Sequence, residues 1–121
     1  MLTIGKRYYF DAAHSLPGHP KCNPCHGHTW KLDVTVQYRS CDYYEILNKN
    51  KGMLMDFHIL NDIVKRVLDK YDHHNLNDQV DMPTCENLIE KLWIELNKEL
   101  PEGYAIARLK LQEGQGGWCE L

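Results

Sequence analysis

From His28 to Tyr38 the chain alternates without a break. His28, Trp30, Leu32, Val34, Val36 and Tyr38 occupy one parity, and Thr29, Lys31, Asp33, Thr35 and Gln37 the other. A two-residue period sends successive side chains to opposite faces, so this stretch predicts a strand with one buried side. Thr3 to His14 predicts an earlier strand, with Tyr8, Phe10, Ala12 and His14 on one face. The polar stretch from Ser40 to Gly52 reads as a loop or loose hairpin. The period then changes. Asp56 is placed to cap a helix, and Ile59, Leu60, Ile63, Val64, Val67, Leu68 and Tyr71 follow at helical spacing. Asp72 to Pro83 is rich in Asn, Asp and His and reads as a connection. Thr84 predicts a second cap, with Glu86 in the first turn and an apolar stripe of Leu88, Ile89, Leu92, Trp93 and Leu96. Pro101-Glu102-Gly103 ends that helix. Tyr104 to Glu113 predicts a third strand, Gly114 to Gly117 a turn, and Trp118 to Leu121 a short last strand. The order is β-β-α-α-β-β, an α+β domain with a four-stranded antiparallel sheet and two helices. The strands at His28–Tyr38 and Trp118 are expected to leave open sheet edges, which invite pairing into a homo-oligomer.

Length and composition narrow the class. A chain of 121 residues makes one domain, 1–121. Apolar residues are 43% and charged residues 26%, the balance of an ordinary globular protein. Fourteen Lys and Arg against 17 Asp and Glu give a net charge of −3, which argues against a nucleic-acid partner. No apolar run reaches the roughly 20 residues of a membrane span. The opening residues Met1-Leu2-Thr3-Ile4-Gly5-Lys6 carry no secretory pattern, so a cytoplasmic location is expected. Five Cys, an odd and scattered set, do not form a disulfide framework. Seven His in so short a chain are the unusual feature.

Cys22-Asn23-Pro24-Cys25-His26-Gly27-His28 concentrates the chemistry. His26 and His28 are two apart, so on an extended backbone both imidazoles point the same way. Gly27 between them leaves the approach clear. His14 ends the neighbouring strand on its apolar parity and is the natural third ligand. Three protein ligands with an open position describe a catalytic zinc. Two other uses of these residues stay open. Cys22-Asn23-Pro24-Cys25-His26 fits a c-type haem attachment, which requires an exported chain and leaves His14 and His28 unused. Cys22 and Cys25 with His14 and His28 would make a four-ligand structural zinc site.

Tyr71-Asp72-His73-His74-Asn75-Leu76-Asn77 is a second group. An Asp beside a His can fix the imidazole tautomer and form an acid–base pair. The simpler reading is a solvated cap at a helix end; a thiol and a metal site nearby give the catalytic reading its weight. Cys22 is either an inert thiol or, close to a metal and a His, an activated one. Cys41, Cys85 and Cys119 read as packing residues. Glu113 shares parity with Leu109 and Leu111, which turns a carboxylate inward, or lets it escape to water at the strand end.

Taken in order, Phe10-Asp11-Ala12-Ala13-His14, Cys22-x-x-x-His26-Gly27-His28, Met55-Asp56-Phe57, Asp72-His73-His74-Asn75-Leu76-Asn77 and Pro83-Thr84-Cys85-Glu86-Asn87 resemble the 6-pyruvoyl-tetrahydropterin synthase family across essentially the whole chain. Within it the chain looks closest to the carboxy-forming branch of the queuosine pathway. The resemblance implies the tunnelling fold, with two helices on one face of an antiparallel sheet. It also implies a ring of subunits, such as a hexamer, with active sites at subunit interfaces. The substrate it implies is 7,8-dihydroneopterin triphosphate, converted with loss of acetaldehyde and triphosphate to 6-carboxy-5,6,7,8-tetrahydropterin, which serves queuosine or archaeosine synthesis. By the same resemblance His14, His26 and His28 match zinc ligands, Cys22 a catalytic thiol, and Asp72 and His73 an acid–base pair. Glu113 matches a pterin anchor, and Thr84 lies in a stretch lining the pocket. Cys25 sits at a position that the family pattern leaves free, and the tail after Glu113 is richer in glycine than the pattern. His74 stands where the pyruvoyl-forming branch tends to carry Lys, which favours the carboxy-forming branch. The alternatives are the pyruvoyl-forming reaction and a non-catalytic zinc- or haem-binding module.

Overall fold

In the computed structural model, which describes residues 1–40 and 42–121, the alternating segment is the middle of the sheet. The strands are β1 (Thr3–His14), β2 (His26–Tyr38), β3 (His74–Asn75), β4 (Tyr104–Glu113) and β5 (Trp118–Glu120). They lie side by side in the order β3-β1-β2-β4-β5. The helices are α1 (Tyr43–Lys49), α2 (Phe57–Leu68) and α3 (Cys85–Glu99), and a 3₁₀ turn covers Leu76–Asp78.

Even positions of β2 face inward: Trp30, Leu32, Val34 and Val36 are fully or nearly fully buried. β1 and β4 flank β2 in antiparallel register. In β4 the parity breaks once. Ile106, Leu109 and Leu111 are all buried because the register against β2 shifts between Thr35 and Val36, inserting one extra residue. α2 and α3 supply the other half of the core through Leu60, Ile63, Val64, Val67, Leu88, Ile89, Leu92 and Leu96. Each such side chain contributes roughly 1.5–3 kcal/mol by leaving water. Both predicted caps form. The Asp56 carboxylate accepts from the His58 N–H, and the Thr84 hydroxyl accepts from the Asn87 N–H.

Several expectations need correction. The sheet has five strands, not four, and it is not wholly antiparallel: β3 pairs parallel with Ala12 and Ala13 of β1. A two-residue strand is too short to show a period. There are three helices among the described residues, because α1 replaces the predicted loop within Ser40–Gly52. α1 buries no side chain and holds a surface Glu45–Lys49 ion pair, so it carries no apolar stripe to read. β2 lies between β1 and β4 and exposes no edge; the open edges are those of β5 and of β1 before its contact with β3. Ile59 is exposed, while Tyr71 is buried beyond the end of α2, its hydroxyl donating to Glu95 at 2.7 Å. Cys41 lies outside the described residues.

Two measurements check this packing. Leu92→Ala should lower unfolding free energy by about 2–5 kcal/mol in urea titration, since it empties fully buried volume between α3 and the sheet. Asp56→Ala should cost about 1 kcal/mol, and Asp56→Ser should recover most of it, because the cap needs only a short side-chain acceptor.

Candidate metal centre and acid–base pair

The β1–β2 register places His14 directly across from His26, and Ala12 across from His28. His14, His26 and His28 therefore converge at one end of the ladder, on the inward parity. Their ring centroids lie 4.6, 5.1 and 4.8 Å apart. Glu113, at the end of β4, faces the same point. Its carboxylate comes within 3.2 Å of His28 Nε2 and 3.9 Å of His14 Nε2. One ligand atom from each of the four lies within 4.8 Å of the others. His14 is completely buried, beneath Trp30.

Hydrogen bonding at the far side of two rings decides what this cluster can hold. His14 Nδ1 donates to the Pro83 carbonyl at 2.8 Å, and His26 Nδ1 donates to the Pro24 carbonyl at 2.8 Å. A carbonyl only accepts, so both rings carry their proton on Nδ1 and present a bare lone pair at Nε2. Those two Nε2 atoms stand 3.1 Å apart. His28 Nε2 is buried without a hydrogen-bond partner; Glu113 is near it at a distance suited to an ion pair but not in bonding alignment. Burial lowers the His28 pKa below its ordinary 6.5; the Glu113 charge opposes that shift, and His14 and His26 add to it. In their neutral forms His14 and His26 thus turn two lone pairs toward each other, with the Glu113 carboxylate and the unpartnered His28 Nε2 beside them. This arrangement is repulsive alone and favourable around a cation. The edge of a tetrahedron of nitrogens about 2.0 Å from a metal is about 3.3 Å, close to the spacing seen. The carbonyl bonds to Nδ1 are the outer support that orients ligating imidazoles. A Cβ built on Gly27 would meet nothing within 4 Å and would point to the opposite face of β2 from the imidazoles, so the expectation that this glycine clears their approach is not met.

Asp72 and His73 form a separate group. His73 has left-handed backbone (φ 62°), held by its N–H donating to the Asp11 carbonyl at 2.6 Å. Asp72 Oδ1 accepts from the Asp11 N–H at 2.9 Å and lies 3.0 Å from His73 Nδ1. The Asp11 N–H is the main cause that holds the Asp72 carboxyl below its usual range. Burial opposes it, and His73 and Lys65 add to the lowering. The His73 side chain is 77% exposed. It shares an open cavity of about 610 Å³ with His28, bordered also by Asp11, Thr29, His74 and Asn75. The acid–base pair is therefore not in contact with the imidazole cluster, and of that cluster His28 alone borders the hollow that His73 lines.

The remaining candidates fall elsewhere. Cys22 belongs to neither group; its N–H donates to His19 Nδ1 in the segment joining β1 to β2. Cys25 is exposed, at 4.0 Å from Asn75 Nδ2. The Thr84 hydroxyl is occupied as the α3 cap. Sequence reasoning missed Asp11, whose backbone holds both Asp72 and His73 and whose side chain accepts from Thr29 at 2.5 Å. It also missed the Pro24 and Pro83 carbonyls, which no side-chain pattern reveals.

Asp72 gives this site a pH signature. Its lowered carboxyl means that its stabilisation is fully present above the ordinary Asp range near 3.8 and is lost as pH falls through the lowered value. Asp72→Asn should therefore reduce the thermal midpoint at pH 7, and the gap to the parent protein should narrow as pH falls below the ordinary Asp value of 3.8, read by calorimetry. A gap independent of pH would refute the role given to the charge.

Comparison with known proteins agrees with this geometry. The family model for 6-pyruvoyl tetrahydropterin synthase matches residues 3–121. A Haemophilus influenzae protein named 6-carboxy-5,6,7,8-tetrahydropterin synthase is 46% identical over 96 residues, covering 76% of this chain and 65% of that one. A Pyrococcus furiosus protein named dihydroneopterin monophosphate aldolase is 39% identical over 117 residues, covering 95% of this chain and 92% of that one. The solved 6-pyruvoyl tetrahydropterin synthase of Caenorhabditis elegans superposes with a TM-score of 0.81 at 21% identity, covering 99% of this chain and 94% of that one. The five-stranded α+β sheet, the three converging imidazoles and a family match across nearly the whole length lead to one conclusion: the chain belongs to the 6-pyruvoyl tetrahydropterin synthase family.

Proposed function

We propose that the protein is a zinc-dependent lyase that converts 7,8-dihydroneopterin triphosphate to 6-carboxy-5,6,7,8-tetrahydropterin, releasing acetaldehyde and triphosphate, in 7-deazaguanine synthesis. The observation that carries this reading is the convergence of His14, His26, His28 and Glu113, with His28 bordering a cavity that His73 also lines. Nitrogen ligands in that number and spacing suit zinc. His14, His26 and His28 would hold the ion, which supplies Lewis-acid polarisation of side-chain hydroxyls.

The chain's own groups supply the rest. Asp72, fixed by the Asp11 N–H, orients His73 through Nδ1 and leaves Nε2 free to exchange a proton in the cavity. Cys22 is assigned the proton on the opposite face of the substrate. Glu113 is assigned the pterin ring, where a carboxylate accepts from the ring N–H and the amino group together. Thr84 is assigned to the pocket wall, with its hydroxyl accepting from the Asn87 N–H as the α3 cap. We also place the protein in a ring of copies with sites between subunits, since β1 and β5 leave edges that a second chain can pair with.

The Pyrococcus relative supports a second reading, aldol-type cleavage of a dihydroneopterin monophosphate, in which the same three histidines would hold the ion and His73 would move the proton. Substrate turnover separates the two. Zinc-loaded protein given the triphosphate should release acetaldehyde and triphosphate. Cleavage of the monophosphate alone to a two-carbon aldehyde phosphate would establish the aldolase instead. Zinc binding with no turnover of either would leave only a binding module.

Two variant series test the assignments. Cys22→Ala should retain zinc and the fold but lose turnover by about 100-fold or more, as expected for a lost proton carrier, whereas Cys25→Ala should be mild. Glu113→Gln should raise the apparent KM with zinc content unchanged, because it sets a donor where an acceptor is needed. Loss of zinc in Glu113→Gln would make Glu113 a fourth ligand and remove it as the pterin anchor.

A further inference from the structure

Cys85 and Cys119 are 34 positions apart in sequence, yet their sulfur atoms lie 2.9 Å from each other. Cys85 opens α3, directly after the Thr84 cap. Cys119 is the middle residue of β5 and sits across from Leu111 of β4. The Cys85 thiol also points at the Leu111 carbonyl, 3.3 Å away, so it lies over that rung of the ladder. Both residues are half-buried against the core and are free thiols in this structure. A disulfide has sulfurs about 2.05 Å apart, so the two sulfurs themselves need to approach by less than about 1 Å.

We propose that Cys85 and Cys119 are a redox modification site, forming a reversible intramolecular disulfide that staples the C-terminal edge strand to the first turn of α3. The oxidant is a low-molecular-weight disulfide. Cys119 thiolate attacks it, forming a mixed disulfide and expelling one small thiolate. Cys85 thiolate then attacks the Cys119 sulfur and expels the second. Two protein thiols become one disulfide, the small disulfide is reduced to two thiols, and the two protein protons pass to those thiols. Cys119 lies on the edge strand β5 and so takes the first attack; burial pushes both thiols above their ordinary range, which makes the reaction faster at alkaline pH.

The staple would act on the site's supports. Pro83, two residues before Cys85, holds His14 Nδ1, and Glu113 lies two residues beyond the rung that Cys119 pairs with. The proposal itself stands whatever reaction the site performs.

The test treats the full-length chain with oxidised glutathione under native conditions from pH 7 to pH 10. Free thiols are then alkylated and the digest is mapped by mass spectrometry. The expected product is a single linked Cys85–Cys119 peptide pair, two hydrogens lighter, that forms faster at high pH and reopens with dithiothreitol. The thermal midpoint should rise by roughly 10 °C on oxidation, through restriction of the unfolded chain. Cys85→Ser and Cys119→Ala should each abolish both the link and the rise, while their reduced forms melt within a few degrees of the reduced parent. Exclusive linkage of other cysteines, glutathione adducts on Cys85 or Cys119 that do not resolve, or both thiols free at every pH would each overturn the proposal.

Discussion

The antiparallel ladder between β1 and β2 fixes almost everything that the site needs. It runs from Thr3 opposite Gln37 to His14 opposite His26 without a shift. Its register is held by burial. Phe10, Ala12, Trp30, Leu32, Val34 and Val36 must all face the helices, and a one-residue slip would turn every one of them to water. That same constraint sends His14, His26 and His28 to the inward side, where the sheet ends and the core stops. The histidines are brought together by hydrophobic packing further along the strands, not by attraction among themselves.

Left to themselves the imidazoles would repel. The Pro24 and Pro83 carbonyls commit two of the rings to one tautomer, and the lone pairs that remain face each other. Glu113 adds two more acceptors. The fold therefore maintains an arrangement that a cation inside would relieve, and the core carries the electrostatic cost of holding it. Burial is the main cause that lowers the His28 pKa, and the Glu113 charge opposes it.

Asp11 links this centre to the acid–base pair. Its backbone N–H and carbonyl hold Asp72 and His73, and it lies on β1 opposite Thr29, one position from the His28 that belongs to the cluster. β3 then ties His74 and Asn75 to Ala12 and Ala13. β1 therefore supports the acid–base pair and, through His14, carries one member of the imidazole cluster. The left-handed conformation of His73 is a local strain of the kind held at functional positions, stabilised here by a hydrogen bond of 2.6 Å to Asp11.

Local order was largely legible in the chain. Strict alternation specified β2, helical spacing with Asp56 and Thr84 specified the starts of α2 and α3, and the His-x-His spacing specified a convergence of imidazoles. Parity also turned Glu113 inward. These features are legible because each depends on periods of two or three to four residues, which a sequence displays directly. Tertiary structure decided what no period encodes. It set β2 in the centre and not at an edge, formed α1 from a segment with no apolar stripe, and added β3 through a two-residue parallel contact. It placed backbone carbonyls behind two of the histidines, gave Asp11 its supporting role, and brought Cys85 against Cys119. Each of these depends on groups distant in sequence or on backbone atoms that every residue shares, so only the packed chain could determine them.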